Sequence, residues 1–525
     1  MRRLPIGIQD FEKLRRGGHI YVDKSESVYK LINEGQGAFF LSRPRRFGKS
    51  LLCSTIAAIF EGKRELFQVC EGYDALAINQ LDWDWKEHPV ILLNLNVGQI
   101  YEDIEQLRVS LRNTLKNIAK YYELDIEGVY PFDMFSNLIV DLYRKYNKSV
   151  VIIIDEYDKP LLDSIDNPEL HSNIRNELKG FYGILKSHDK YLRFTFITGV
   201  TKFSKVSLFS DLNHLRDLSL STDYAEICGL THEEVETNFT PEIKAIVQET
   251  GESYSIYMER LKNYYNGYRF SEKPITIYNP FGLLYHFAEK GKFSPYWYET
   301  ATPTFLLKLI KQQNLNILEI DKMTIFYDNL QRFDIENMEA DVVLYQAGYL
   351  TITDYDGKTG EFRLGYPNLE VSSSFAKSLT CEYFETSRDS VNKLYSKLPS
   401  SFIKGDIEGV INSMISFLAS VPYEIIINSE RYYQTFVHLT FSMLGLNTRS
   451  EIRIADGRID TLVETKYYIY CFEFKIDQSA DIALAQINSK NYMLSWKDSG
   501  KKLFKIGINF DSKKRNIGDW VVDSE

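Results

Sequence analysis

Three groups of residues in this sequence have side chains of a type and spacing that could do chemistry. The first is Gly48-Lys49-Ser50, a turn residue, a cation and a hydroxyl in succession, preceded by Arg43, Pro44, Arg45 and Arg46. Backbone amides around such a glycine can cradle phosphate oxygens, the lysine can reach the β/γ-phosphates, and the hydroxyl can enter a Mg²⁺ shell. The second is Asp155-Glu156, about one hundred residues on and directly after the apolar run Val150–Ile154. One carboxylate there can hold the Mg²⁺ shell, and the other can orient or deprotonate an attacking water. The third is Asp460, Glu473 and Lys475, with Gln486 following. Two carboxylates can bind a hard divalent cation, and an adjacent lysine can orient a water or stabilise charge on a phosphorane-like transition state.

These side chains act only if the fold aims them. Ala38–Leu41 (AFFL) reads as a buried strand and Ser50–Gly62 as an amphipathic helix. In that strand–loop–helix order the loop amides and the helix N-terminus point at an anion. The context matters, because a Gly-Lys-Ser tripeptide is expected by chance about 0.2–0.3 times in a chain this long. The general phosphate-loop pattern is G-x-x-x-x-G-K-[ST], and Arg43 stands where its first glycine belongs. A non-glycine residue at positive φ costs about 1–2 kcal/mol, and Pro44 pushes Arg43 toward extended geometry. The first half of the loop is therefore expected to take another path. Arg43, Arg45 and Arg46 would place positive charge beside the phosphates, in place of the lost amide contacts. A further strand, Phe194–Ile197, leads into Thr198 and Thr201, candidates for a polar residue that senses the γ-phosphate.

Apolar runs at 38–41, 90–95, 150–154 and 194–197 alternate with helical stretches such as Ile104–Tyr122, the pattern of a parallel α/β sheet. We assign 1–220 to this α/β domain and 221–335 to a mainly helical lid region. A helix at Asn337–Ala347 and a hairpin turning at Asp356-Gly357 make a winged-helix-like unit over 336–375. A charged helical linker is expected over 376–427, and a second α/β domain over 428–525. Along Tyr467–Ile476, Glu473 and Lys475 are two apart and share one strand face. A hairpin turning at Thr465–Lys466 would set Asp460 opposite Cys471 and diagonal to Glu473. Gln486, on the following helix that also leads to Tyr492, could complete the cluster.

At 525 residues the chain exceeds what one core supports, so two to four domains are expected. With 44% hydrophobic and 26% charged residues it is a folded globular protein. The formal charge of −10 makes no global case for nucleic-acid binding, which must then rest on a local basic groove. Cys53, Cys70, Cys228, Cys381 and Cys471 are odd in number and form no C-x-x-C pair, which argues against a disulfide framework and a zinc site. The N-terminus lacks an apolar signal-peptide core, and no run of about 18 apolar residues occurs, so a cytoplasmic protein without a membrane span is expected.

The motifs YVDKS (Tyr21–Ser25), RPRRFGKSLL (Arg43–Leu52), IIIDEYDKPL (Ile152–Leu161), YYNGYRF (Tyr264–Phe270) and LYQAGYLTI (Leu344–Ile352) resemble those of the bacterial AAA-ATPase-like group. The tail resembles the PD-(D/E)XK nuclease group usually fused to it. In that group the arginine-rich loop is the ordinary form. The resemblance implies a Mg²⁺-dependent P-loop ATPase with a helical and winged-helix lid, followed by a restriction-endonuclease-like α/β domain. By position it implies an ATPase site of Lys49, Ser50, Asp155 and Glu156, and a nuclease site of Asp460, Glu473, Lys475 and Gln486. Glu430 could match an extra acidic residue of such nucleases. The expected cofactors are ATP and Mg²⁺ and the expected partner is DNA, with foreign-DNA processing or defence as the setting. The rival readings are a signal-transduction-type NTP switch and interaction protein, and a C-terminal domain that binds nucleic acid without cutting. A homo-oligomer stays open, because an arginine finger can come from a neighbour.

Overall fold

The computed structural model describes residues 2–35, 37–69, 74–96, 98, 101–202, 208–209, 215–300, 304–313, 315–330, 339–422, 430–442, 447–454 and 457–524. The chain forms two compact units, Met1–Ala301 with Lys322–Asn368, and Thr302–Asp321 with Leu369–Glu525. Among the described residues, no helix is long and apolar enough to cross a membrane.

The first unit is built on a parallel sheet of β1 (Ala38–Ser42), β2 (Val90–Asn94), β3 (Val150–Asp155), β4 (Leu192–Gly199) and β5 (Leu215–Asp217), in the order β2-β3-β4-β1-β5. Every residue of β1 and of β3 is buried, which is why these strands read as unbroken apolar runs. β5 was not foreseen, since three residues are too few to show a period. The connecting helices are α1 (Lys49–Phe60), α2 (Ile104–Tyr121), α3 (Pro131–Tyr146) and α4 (Pro168–Ser187). Their starts are fixed locally: the Asp103 side chain accepts from Gln106 N, Asn167 from Leu170 N, and Pro131 occupies the first turn of α3. The strand order brings the carboxyl ends of β1, β4 and β3 side by side, where open parallel sheets bind ligands.

The lid region of this unit contains α5 (His232–Thr250), started by a Thr231/Glu234 capping box, α6 (Tyr254–Tyr265) and α7 (Pro280–Ala288). They close over a core that includes Val235, Phe239, Tyr257, Leu261 and Phe287. The expected helix and hairpin follow as α8 (Ala340–Ala347), β7 (Thr351–Asp356) and β8 (Glu361–Gly365), and β6 (Thr324–Phe326) adds a third antiparallel strand beside β8. The start of the expected 337–347 helix lies outside the described residues.

In the second unit, α9 (Leu369–Tyr383), α10 (Arg388–Lys404), α11 (Ile407–Leu418) and α12 (Glu430–Ser442) precede a sheet of β9 (Asn447–Ile454), β10 (Gly457–Glu464), β11 (Tyr468–Ile476), β12 (Lys502–Asp511) and β13 (Asn516–Ser524). The strands lie in sequence order, antiparallel except for the parallel β11–β12 pair, which is joined through α13 (Ala480–Ser489). The segment expected as a linker is part of this unit. Val391, Leu394, Leu398 and Phe402 are buried at helical spacing, and the charges that suggested a linker are the solvent face of the same helix. Phe402 packs edge-on against Tyr470 at 5.0 Å, and the Tyr470 hydroxyl donates to its carbonyl at 2.6 Å.

Candidate functional sites

The loop between β1 and α1 is held by side chains and by the lid as well as by glycine. Gly48 takes a left-handed conformation (φ 90°), and so does Arg46 (φ 66°), at a cost of about 1–2 kcal/mol for a residue with a Cβ. Arg43 is not where it was expected. Its guanidinium donates to the carbonyls of Ser42 (2.9 Å), Ser219 (2.8 Å) and Tyr224 (3.2 Å), and its Cζ lies 4.2 Å above the Phe270 ring. With the residue only 1% exposed, Arg43 braces the root of the loop instead of facing a phosphate. Two of its three acceptors lie some 180 residues away, so nothing in the local sequence marked it as a buried cation.

Arg45 and Arg46 are exposed, with the loop backbone beneath them pinned to the lid. The Arg45 carbonyl accepts from Trp297 Nε1 (3.0 Å) and Asn279 Nδ2 (3.5 Å), and the Arg46 guanidinium stacks 5.0 Å above Phe281. A Cβ on Gly348 would come within 2.7 Å of Pro44, so the lid approaches the loop where only glycine fits, in a left-handed conformation (φ 89°) that also favours it. Lys49 Nζ donates to the carbonyls of Arg43 (3.0 Å) and Pro44 (3.1 Å). Arg45, Arg46, Gly48, Lys49, Ser50 and Glu156 line one cleft of about 370 Å³. An apolar pocket of about 100 Å³ adjoins it, sharing Pro5, Gly48, Leu51, Pro280 and Leu284.

Asp155 ends β3 at 2% exposure, and its Oδ1 has no hydrogen-bond partner. Burial raises its pKa, opposed by a hydrogen bond from Ser50 and by the Lys49 charge. A buried carboxylate oxygen without a donor is costly, and one beside a hydroxyl is a donor set that fits Mg²⁺. Glu156 leaves the strand in a left-handed conformation (φ 51°) that turns it toward the cleft. Its pKa is raised by burial, with Lys49 opposing and Asp155 adding to the rise. Thr198 is fully buried with its hydroxyl unpartnered, whereas Thr201 donates to Asp158. Asp158 was missed as a site residue, although its place three after Asp155 is plain in the sequence.

In the second unit the hairpin turns one residue later than expected. Thr461 pairs with Phe472 and Leu462 with Cys471, so Asp460 comes level with Glu473 and not with Cys471. The turn is set by Thr465, whose backbone and hydroxyl both bond to Tyr468. The correction brings the two carboxylates closer in register than the sequence reading had them. Asp460 Oδ2 accepts from Phe474 N at 2.9 Å, and Glu473 Oε1 accepts from Lys475 Nζ at 3.0 Å and from Gln486 Nε2. Gln486 also donates to the Tyr492 hydroxyl at 3.1 Å. Burial raises the Tyr492 and Cys471 pKa values, and the charges of Glu473 and Asp460 raise both further.

α13 reaches this depth because a Cβ on Gly507 of β12 would lie 2.3 Å from the Ala480 carbonyl. Asp519 fixes the start of the helix by accepting from Ala480 N at 2.9 Å. Among the described residues, no three His, Cys, Asp or Glu side chains gather at one metal-sized point. A cation here would rest on Asp460 and Glu473, with carbonyl or water oxygens completing its shell, a set that fits Mg²⁺. The side chain of Glu430 lies outside the described residues.

Residues 5–209 match the family model described as a predicted AAA-ATPase, and residues 428–520 match that of the PD-(D/E)XK nuclease superfamily. The chain is 34% identical over 534 residues to an Azotobacter chroococcum mcd 1 protein described as "Uncharacterized protein in vnfD 5'region", with 100% of this chain and 99% of that one covered. Among solved structures it is similar to the Aeropyrum pernix ORC2 protein in its ADPNP-ADP complexes, at 12% identity and a TM-score of 0.25, covering 66% of this chain and 87% of that one.

Proposed function

The chain belongs to the AAA-ATPase-like family and carries a C-terminal PD-(D/E)XK nuclease superfamily domain, and we propose that it couples ATP hydrolysis to Mg²⁺-dependent cleavage of DNA. What supports this reading is that each unit sets two carboxylates near a lysine: Asp155 at the end of β3 and Glu156 just after it, near Lys49, and Asp460 and Glu473 within β10 and β11, with Lys475 on Glu473. In the first, Lys49, Arg45 and Arg46 bind the phosphates and the adjoining apolar pocket takes the base. Ser50 and Asp155 would hold a Mg²⁺ ion, and Glu156 takes the proton of the attacking water. In the second, Asp460 and Glu473 would hold the cation, Lys475 steadies the water or the developing charge, and Gln486 holds Glu473 in place. Mg²⁺, when bound, supplies charge neutralisation at the reacting phosphate.

Processing of foreign DNA in the cytoplasm suits this pairing at the level of family association. A slow NTP switch is the second reading, favoured by the loop's many ties to the lid. Cleavage of linear, circular and single-stranded DNA should be measured with Mg²⁺, with and without ATP. We expect the rate to change by at least about tenfold with ATP and the response to vanish in Lys49→Ala. A nuclease indifferent to ATP would leave two uncoupled activities and refute the coupling.

A further inference from the structure

Asp158 lies two residues beyond Glu156 and is 1% exposed. It precedes a short helix, Lys159–Asp163, yet its side chain makes no capping bond there. Its Oδ2 instead accepts from three donors across the sheet: Val200 N (3.0 Å), Thr201 N (2.7 Å) and Thr201 Oγ1 (2.6 Å). Tyr157 reinforces the tie, its amide donating to Thr198 O and its hydroxyl to Thr201 O, both at 3.0 Å. A Cβ on Gly199 would lie 2.5 Å from Asp158 Oδ1 and 2.6 Å from the Tyr157 ring, so the approach requires glycine.

The ladder between β3 and β4 ends at Ile154↔Ile197, and these bonds continue the connection where it stops. They also link two places that hydrolysis needs in register. On one side is Glu156, held in a left-handed conformation that a non-glycine residue keeps only where its surroundings enforce it. On the other is the end of β4 with Thr198 and Thr201. The next residue, Lys202, donates its amide to Gln346 Oε1 of α8 at 3.0 Å and pairs with Asp217 of β5 at 3.1 Å, so this strand end is itself anchored to the lid.

We propose that Asp158 is a positioning residue for ATP hydrolysis, locking the end of β4 and its lid contact to the turn that presents Glu156. This rests on the ATPase reading above. The test is steady-state ATP turnover, binding of a non-hydrolysable ATP analogue, and Tm for the full chain and its variants. Asp158→Ala should lower kcat by about 10- to 100-fold with analogue affinity unchanged. Asp158→Asn, whose amide oxygen can take all three donors, should recover most of the rate. Thr201→Val should cost a few-fold alone and nothing further in the Asp158→Ala background. Wild-type turnover in Asp158→Ala overturns this inference alone, as does a parallel fall of kcat, affinity and Tm that Asp158→Asn does not relieve. No turnover by the wild-type chain overturns the ATPase reading and this inference together.

Discussion

The lysines of the proposed nucleotide site and the proposed nuclease site have opposite partners. Lys49 is held on the carbonyls of its own loop, leaving Asp155 Oδ1 without a donor and the pKa values of Asp155 and Glu156 raised by burial. Lys475 sits on Glu473 at 3.0 Å, where Gln486 also donates. The first site has electrostatic demand that a cation and phosphates would answer. In the second, two donors already sit on Glu473 Oε1. That contrast suits a site that senses a ligand in one unit and a site that does fixed chemistry in the other.

The sharpest way to separate the two is to disable one chemistry and watch the other. Glu156→Gln should cut ATP turnover by about 10³-fold, with analogue binding retained and the part of DNA cleavage that depends on hydrolysis lost. Turnover at the wild-type rate would remove Glu156 from its role.

Acid should also distinguish the units. His286 in the lid core accepts from the Tyr257 hydroxyl at 2.7 Å, and its other nitrogen donates to the Lys292 carbonyl at 3.1 Å, so the neutral ring is fully used. Burial lowers its pKa from 6.5 to about 4. Since the folded-state value is depressed, the stability it contributes is present above the ordinary value and lost as pH falls through about 4. The loss amounts to about 3 kcal/mol. Thermal melting followed between pH 7 and pH 4 should show the first unit weakening over that window. In His286→Phe the dependence should flatten.

The smallest effect concerns the second unit. Gly507→Ala should destabilise it by about 1–3 kcal/mol, because the new methyl meets the backbone of α13. Cleavage should fall as Gln486 is displaced, while ATP turnover stays level. Equal losses in both activities would mean that the units do not respond separately.

Much of this was legible in the sequence because local chemistry determines it. Four of the five parallel strands announce themselves as apolar runs, and Asp155 and Glu156 follow from where one of those runs ends. The alternation along β11 places Glu473 and Lys475 on one face. What was hidden depended on distant partners. Arg43 looked like a phosphate ligand until the carbonyls of Ser219 and Tyr224 came to surround it. Asp158 had no part in the sequence reading, because its partner Thr201 reaches it across the sheet. The α10 and α11 segment looked like a linker because its charged face is visible in sequence and the aromatic cluster around Phe402 is not. The register at Asp460 turned on Thr465, whose hydroxyl fixes a turn that hydrophobic pattern leaves loose.

The most direct measurement is DNA cleavage and ATP turnover by Asp460→Ala in a single preparation with Mg²⁺. The account predicts that cleavage falls by about 10³-fold or more, while turnover stays at the wild-type rate. Cleavage that persists in Asp460→Ala would contradict the assignment of this second site.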